Sequence, residues 1–292
     1  MILMLGAIAG DIIGSVYEKR NLKRKDFSPL FHPQARITDD TVCIVAVADS
    51  LVQEVPPALS LQKWCRKYEH VGGWGQRFAL WFMDDEPPAY GSWGNGGAMR
   101  VSPAALMARD LDEALSLATL VTSVTHDHPE GLRGAQAVAA TIWRALQCEP
   151  PHLIRAELSS RYGYDLSLTV DEIRPSYRHS EAAQHSVPQA LICALEASSY
   201  EDAIRNAISI GGDSDTIAAI AGSVAEARFG VPAAIAEQAW SFLDQDMRAV
   251  LTRLYLAHAA IGPTSLRLPQ SSDLHDNVGA MLARIVNSPC QI

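Results

Sequence analysis

The chain reads as a single all-α domain of ten or more helices spanning residues 1–292. Three observations lead there. Apolar residues recur at helical spacing in a succession of runs, each bounded by glycine, proline or a short polar residue. Period-2 alternation, the mark of half-buried strands, is scarce throughout. A length of 292 residues, 48% hydrophobic and 20% charged, is enough for one large apolar core.

The first expected helix covers 3–18, with Gly6, Gly10 and Gly14 four residues apart on one face. A glycine face lets another backbone approach closely, at a cost in helix propensity. Asp11 interrupts this apolar run, and Glu18 falls seven residues later, near the same face. A carboxylate in such a setting either caps a neighbouring element or belongs to a site. A polar loop, 19–37, with Pro29 and Pro33, delivers the chain to Thr38. Helices are expected over 41–54, stopped by Pro56 and Pro57, and over 59–70. The Gly/Trp/Pro-rich stretch 72–97 is a long connection whose tryptophans argue for an ordered, functional loop.

Residues 101–123 read as helical, and Pro129 opens a helix running to about 147. The stretch 150–188 is the least regular. Helices follow at about 188–198 and 200–209, then one opened by Gly211-Gly212-Asp213-Ser214-Asp215-Thr216. Pro232 starts further helical stretches to about 259, and a loop at 263–273 precedes a last expected helix at 274–287.

Composition excludes some roles. The net charge, 24 − 33 = −9, argues against a nucleic-acid partner held through phosphates. Five scattered cysteines without a CxxC pair argue for reduced thiols and a cytoplasmic location. The apolar start lacks a basic segment before it and contains Asp11, so it does not read as a signal peptide. No uninterrupted apolar run reaches 18 residues, and no membrane partner is expected.

The chemistry concentrates in two places far apart in sequence. Thr38-Asp39-Asp40-Thr41 and Asp213-Ser214-Asp215-Thr216 each open an apolar helical run. Either cluster alone reads as a helix cap, with Asp39 and Asp213 as ordinary N-caps. Together they read as two halves of one oxygen-ligand site, suited to Mg²⁺, Mn²⁺ or Ca²⁺ rather than zinc. Four or five carboxylates exceed the needs of one octahedral ion and suggest two metals about 3.5–4 Å apart. Gly94-Asn95-Gly96-Gly97 exposes backbone N–H groups as a phosphate or ribose cradle does. In Thr125-His126-Asp127-His128 the histidines read as hydrogen-bonding groups, since no cysteine or further histidine cluster supports zinc. These residues point to a two-metal hydrolase acting on a polar, phosphate- or sugar-bearing substrate.

Five segments resemble one family in order: GAIAGDIIGSVYE (6–18), TDDT (38–41), SWGNGGAMRVSP (92–103), THDHPEG (125–131) and GGDSDTIAAIAGSVAEA (211–227). They look like the ADP-ribosylglycohydrolases. The resemblance implies an orthogonal all-α multi-helix bundle with a binuclear Mg²⁺ or Mn²⁺ centre in a cleft. By that resemblance Thr38, Asp39 and Asp40 form the first metal group, and Asp213, Asp215 and Thr216 the second. Glu18 shifts between metal contact and an acid–base role, so Glu18, Asp39 and Asp40 are the implied catalytic residues. Gly91, Ser92, Trp93, Gly94, Asn95, Gly96 and Gly97, with His126 and Gly212, are the implied substrate-binding positions. The implied partner is an ADP-ribosylated protein or other acceptor, arginine first and serine second.

Tyr177–Ser186 departs from the pattern and is expected to line the substrate entrance, and nothing beyond about 260 matches. Two alternatives stand beside this reading. One is a non-catalytic ADP-ribose-binding or structural member of the family; the other is a metal-dependent nucleotide phosphohydrolase.

Overall fold

The structure, a computed structural model, describes residues 5–261. Its elements are helical, and the single β feature among the described residues is an isolated antiparallel bridge between Gly94 and Ala182. In chain order the helices begin with α1 (Leu5–Gly14), α2 (Asp39–Gln53) and α3 (Pro57–Lys67). A 3₁₀ turn (Glu69–Val71) leads to α4 (Gln76–Met83). Then come α5 (Gly96–Met99), α6 (Ser102–Met107), α7 (Leu111–Ser123), α8 (Pro129–Leu146) and α9 (Pro151–Tyr162). The remainder are α10 (Val170–Ile173), α11 (Ala183–Glu196), α12 (Tyr200–Ser209), α13 (Ser214–Phe229), α14 (Ala233–Ser241) and α15 (Gln245–Ile261).

Helix α13 is the centre of the bundle. Every residue from Ser214 to Ala227 is buried, as expected of a helix apolar or small on all faces. Helices α1, α8, α11 and α12 pack around it. The closest neighbour is α1, which lies antiparallel to it along the glycine face. A β-carbon on Gly6 would meet the Gly222 carbonyl oxygen at 2.5 Å, one on Gly10 the Ala218 carbonyl oxygen at 2.1 Å, and one on Gly14 the Asp215 Cα at 2.6 Å. The two backbones therefore touch along three turns. Buried polar groups tie the far end: Gly6 N donates to Glu226 Oε2 (2.8 Å), and the Tyr200 hydroxyl donates to the Gly6 carbonyl (2.7 Å).

Several expected boundaries move. Helix α1 ends at Gly14, and Glu18 sits in the following turns rather than on the helix. The long connection 72–97 contains a helix, α4, whose Phe78, Trp81 and Phe82 are buried at helical spacing. Its eight residues are flanked by glycine on one side and Asp/Pro on the other, which masks the period. Residues 101–123 form two helices, α6 and α7. They break at Ala108–Asp110, where the Asp110 side chain accepts from Glu113 N and caps the second.

The irregular stretch 150–188 holds α9, with Ile154, Leu158 and Tyr162 buried four residues apart and Gly163 ending it in the left-handed region. Helix α11 starts at Ala183, so Pro188 lies inside it rather than at its head. The early start has a tertiary cause, since Ala183 N donates to the Trp93 carbonyl (3.0 Å) across the Gly94–Ala182 bridge. Among the cysteines, Cys43, Cys65 and Cys193 are free and buried as expected, whereas Cys148 is disulfide-bonded, against expectation. No helix of the described residues is long and apolar enough to cross a membrane. The expected C-terminal helix at 274–287 lies outside the described residues.

The glycine contact makes a stability prediction. A methyl group at Gly10 has backbone where it needs space, so α1 and α13 must part to admit it. In urea unfolding, Gly10→Ala is expected to lose about 1–3 kcal/mol. Gly75→Ala, with nothing within 4 Å of the added carbon, is expected to change stability by under about 0.5 kcal/mol. Equal unfolding midpoints for the two variants would contradict the close-packed reading.

Candidate functional site

The two acidic clusters meet. The first turns of α2 and α13 converge on the floor of a cleft of about 590 Å³, within the range of small-molecule sites. Asp39, Asp40, Asp213, Asp215 and Thr216 form that floor, and Glu18 stands beside them. Ser92, Trp93, Gly94, Asn95, Gly96 and His126 form one wall. Gly73, Trp74, Arg77, Phe78, Tyr90 and Arg100 also line the cleft, the Tyr90 ring lying 6.2 Å from that of His126, and the exposed His179 and Glu181 complete the lining.

Local structure explains how the carboxylates reach the floor. Thr38 is the N-cap of α2, its hydroxyl accepting from Asp40 N at 3.2 Å. Asp39 and Asp40 are thereby left free of capping duty. Asp213 occupies the N-cap position of α13 but makes no capping bond. Its Oδ2 instead accepts from the Asn95 side-chain amide at 2.7 Å. Asp39 is therefore not the cap of α2, and Asp213 holds the N-cap position of α13 without a side-chain capping bond. Gly212 holds φ at +79°, and a β-carbon there would strike the Tyr177 ring at 2.6 Å, so the turn that delivers Asp213 needs glycine. Lys23 fastens the same turn, donating to the Tyr177 carbonyl (2.8 Å) and to the Ile210 carbonyl.

Asp11 is an organiser beneath the floor. It is fully buried, and its carboxylate accepts from Thr38 N (3.0 Å), Thr38 Oγ1 (2.6 Å), Thr41 N (3.2 Å) and Thr41 Oγ1. Burial raises its carboxyl above the ordinary carboxylate range, and the four donors oppose that shift. Asp11 thus caps a neighbouring element, pinning the start of α2 to α1.

The floor is electrostatically frustrated. Burial, then the charges of Asp11, Asp213 and Glu18, pushes the Asp39 carboxyl up to about 8. Burial and neighbouring carboxylates, Asp39 foremost, hold Asp40 well above the usual range. Asp215 is raised in the same way by burial and by Asp213, Asp11 and Glu18. Asp213 is raised by burial, with the Asn95 amide opposing. Thr216 Oγ1 donates to Asp40 Oδ1 at 3.4 Å, while Asp40 Oδ2 is buried with no partner. Among the described residues no group of three or more His, Cys, Asp or Glu side chains is arranged to hold a metal ion. The carboxylates share one floor without converging on a point.

Of the remaining site positions expected from sequence, Gly91, Gly97, Gly212 and Thr38 adjoin lining residues in the chain without lining the cleft themselves. Gly91 N donates to Asp127 Oδ1 (2.7 Å), and Gly97 packs against Thr122 and His126. The residues that sequence reasoning passed over are Gly73, Arg77, Phe78 and Arg100. A signal existed for the first: Gly72-Gly73-Trp74-Gly75 repeats the glycine-aromatic texture of Gly91–Gly97, and Gly73 lies against the Asp39 carboxylate. The expected role of Tyr177–Ser186 at the entrance matches the placement of His179 and Glu181.

An all-α bundle with an acidic cleft between two helix starts is the class these features define. Comparison with known proteins narrows it. The sequence model of the ADP-ribosylglycohydrolase family matches residues 3–264, and the chain belongs to that family. The ADP-ribosylhydrolase ARH3 of Danio rerio is 24% identical over 78% of this chain and 82% of its own length. The ADP-ribosylarginine hydrolase Tri1 of Pseudomonas putida is 25% identical over 82% of this chain and 73% of its own. A solved structure titled ADP-ribosylglycohydrolase-related protein complex shares the fold, with a TM-score of 0.67 at 24% identity, covering 88% of this chain and 96% of that one.

The raised carboxyls set a pH dependence. A folded-state value of about 8 for Asp39 against 3.8 unfolded means the folded chain holds that proton more tightly. The associated stability is complete below about pH 4 and is lost as pH rises toward about 8. In EDTA, the stability advantage of Asp39→Asn over wild type is therefore expected to grow from pH 5 to pH 8 in urea unfolding. Taking the difference cancels His126, whose lowered value acts in the opposite sense. An advantage that is flat or shrinks with pH would contradict the crowded floor.

Proposed function

We propose that the chain hydrolyses the glycosidic bond between ADP-ribose and a modified acceptor, reversing ADP-ribosylation, with two Mg²⁺ or Mn²⁺ ions. The observation that carries this is the convergence of two acidic helix starts under a wall of glycine-rich loop, in a chain of this family. Family membership and the ARH3 and Tri1 relatives support ADP-ribose as the substrate class.

The donor set fits a hard divalent cation. It offers carboxylates and hydroxyls only, Asp40 Oδ2 is buried without a partner, and the mutual repulsion of the floor is what a cation relieves. Thr38, Asp39, Asp40, Asp213, Asp215 and Thr216, with Glu18, are the residues that would hold it. When bound, such ions supply an activated water and grip on the ribose hydroxyls.

The chain's own groups do the rest. Glu18, at the edge of the floor, would take or return a proton at the scissile bond. The carboxylates surround the anomeric carbon with negative charge, which favours an oxocarbenium-like transition state. Asn95 orients Asp213 through its amide, and the loop to either side presents backbone to the ribose and diphosphate. Arg77 and Arg100 make the opposite part of the cleft cationic, suiting the diphosphate. Glu181, beside His179, and Glu18, at the floor, add acidic groups to the cleft, which suits a guanidinium acceptor and favours arginine over serine.

Incubation with arginine- and serine-linked ADP-ribosyl substrates is expected to release free ADP-ribose in Mg²⁺ or Mn²⁺ and to stop in EDTA. AMP or phosphate as product would favour a phosphohydrolase, and binding without turnover a non-catalytic member. Asp39→Ala and Asp213→Ala are each expected to cut turnover at least a hundredfold, about 2.7 kcal/mol of barrier, while circular dichroism remains that of the folded chain. Loss of helical signal in both would assign these residues a structural role instead.

A further inference from the structure

A buried guanidinium in the cleft lining stands without a carboxylate partner. Arg100 is 1% exposed, its Nε is buried with no partner, and its planar head lies 5.6 Å from the Phe78 ring centroid. Its one short side-chain bond runs from Nη2 to Thr125 Oγ1, 2.6 Å. The same hydroxyl lies 2.8 Å from His126 Nδ1. Thr125 is fully buried, and these are the two side-chain partners of its hydroxyl among the described residues.

A guanidinium has donors only, so the Thr125 oxygen accepts from Arg100. The hydroxyl has a single proton of its own. If His126 Nδ1 carried a hydrogen as well, the Thr125 oxygen would accept twice and its own proton would be stranded in a buried place, a costly arrangement. The satisfied arrangement sends the Thr125 proton to Nδ1 and leaves the imidazole hydrogen on the other nitrogen. That nitrogen, Nε2, faces the glycine loop: it is 3.1 Å from where a β-carbon on Gly96 would stand and 3.5 Å from one on Gly94. Nε2 makes no hydrogen bond among the described residues, and His126 lines the cleft.

We propose that Arg100 and Thr125 are positioning residues that fix the ring proton of His126 on Nε2, where it donates to an oxygen of the bound sugar-phosphate ligand. The ligand half of this rests on the function proposed above; the tautomer half does not. Burial, and then the Arg100 charge, hold the imidazole well below its ordinary value, which keeps the ring neutral so that one nitrogen is a fixed donor and the other a fixed acceptor. Arg100 therefore serves the cleft through two bonds in series, and the small glycines opposite leave the space in which Nε2–H meets its acceptor.

The test is long-range ¹H–¹⁵N correlation of the imidazoles in the whole ¹⁵N-labelled chain at pH 7.5, with His126→Gln to assign the signal. Wild type is expected to show Nε2 protonated and Nδ1 bare, with the Nε2–H signal moving when ADP-ribose is added. Thr125→Val is expected to mix the tautomers and weaken ADP-ribose binding about tenfold, and Thr125→Ser to restore both. A ring protonated on Nδ1 in wild type overturns the proposal whether or not any variant folds. So does an unchanged tautomer in folded Thr125→Val, or an Nε2–H signal that stays still with ADP-ribose bound. Absence of any ADP-ribose binding to wild type would instead sink the substrate reading, and the tautomer result would stand or fall separately.

Discussion

Everything at the cleft depends on the backbone contact between α1 and α13. Three glycines, Gly6, Gly10 and Gly14, remove the side chains that ordinarily hold two helices 8–10 Å apart, so the chains touch at Gly222, Ala218 and Asp215. The contact ends where Gly14 meets Asp215. At that point α1 gives way to the turns bearing Glu18, and α13 begins with its acidic first turn. The glycines that lower the helix propensity of α1 thereby bring its end against the start of α13 at Asp215. Asp11, one turn earlier on the same helix, fixes the third component by gripping Thr38 and Thr41. One short helix therefore places both acidic starts.

The cost of this arrangement is electrostatic. Asp39, Asp40, Asp213 and Asp215 crowd a floor where burial and mutual repulsion all favour protonation. Asp11 lies among them yet has four donors, whereas Asp40 Oδ2 has none. Strain of this kind is concentrated where a structure serves a ligand rather than its own stability. The rest of the cleft is built to a different rule. Arg100, Thr125 and His126 are joined by hydrogen bonds in series, and the Gly94–Ala182 bridge ties the glycine loop to the segment bearing Glu181. The cleft accordingly combines an acidic floor with arginine and aromatic side chains in its lining.

Much of this was legible in the sequence. The small apolar run after Asp213 announced a buried helix, the glycine spacing announced a backbone neighbour for α1, and the pairing of the two acidic clusters follows from their shared chemistry. What escaped did so for physical reasons. Helix α4 is too short between its flanking glycine and Asp/Pro segments for three buried aromatics to establish a period. Helix α11 starts early because Ala183 N finds the Trp93 carbonyl, a partner distant in sequence. Asp213 departs from its cap role because Asn95, far upstream, supplies a better donor. Arg100 carried no local signal at all: its burial depends on Thr125 and Phe78, which only the fold brings to it.

The central claim is that the acidic floor is a binuclear metal site beneath a ribose. Anomalous diffraction from crystals of the full chain grown in Mn²⁺ tests it most directly. Two manganese peaks are expected, ligated by side chains from both Thr38–Asp40 and Asp213–Thr216. A cleft with no anomalous peak, or manganese bound only elsewhere on the protein, would contradict it.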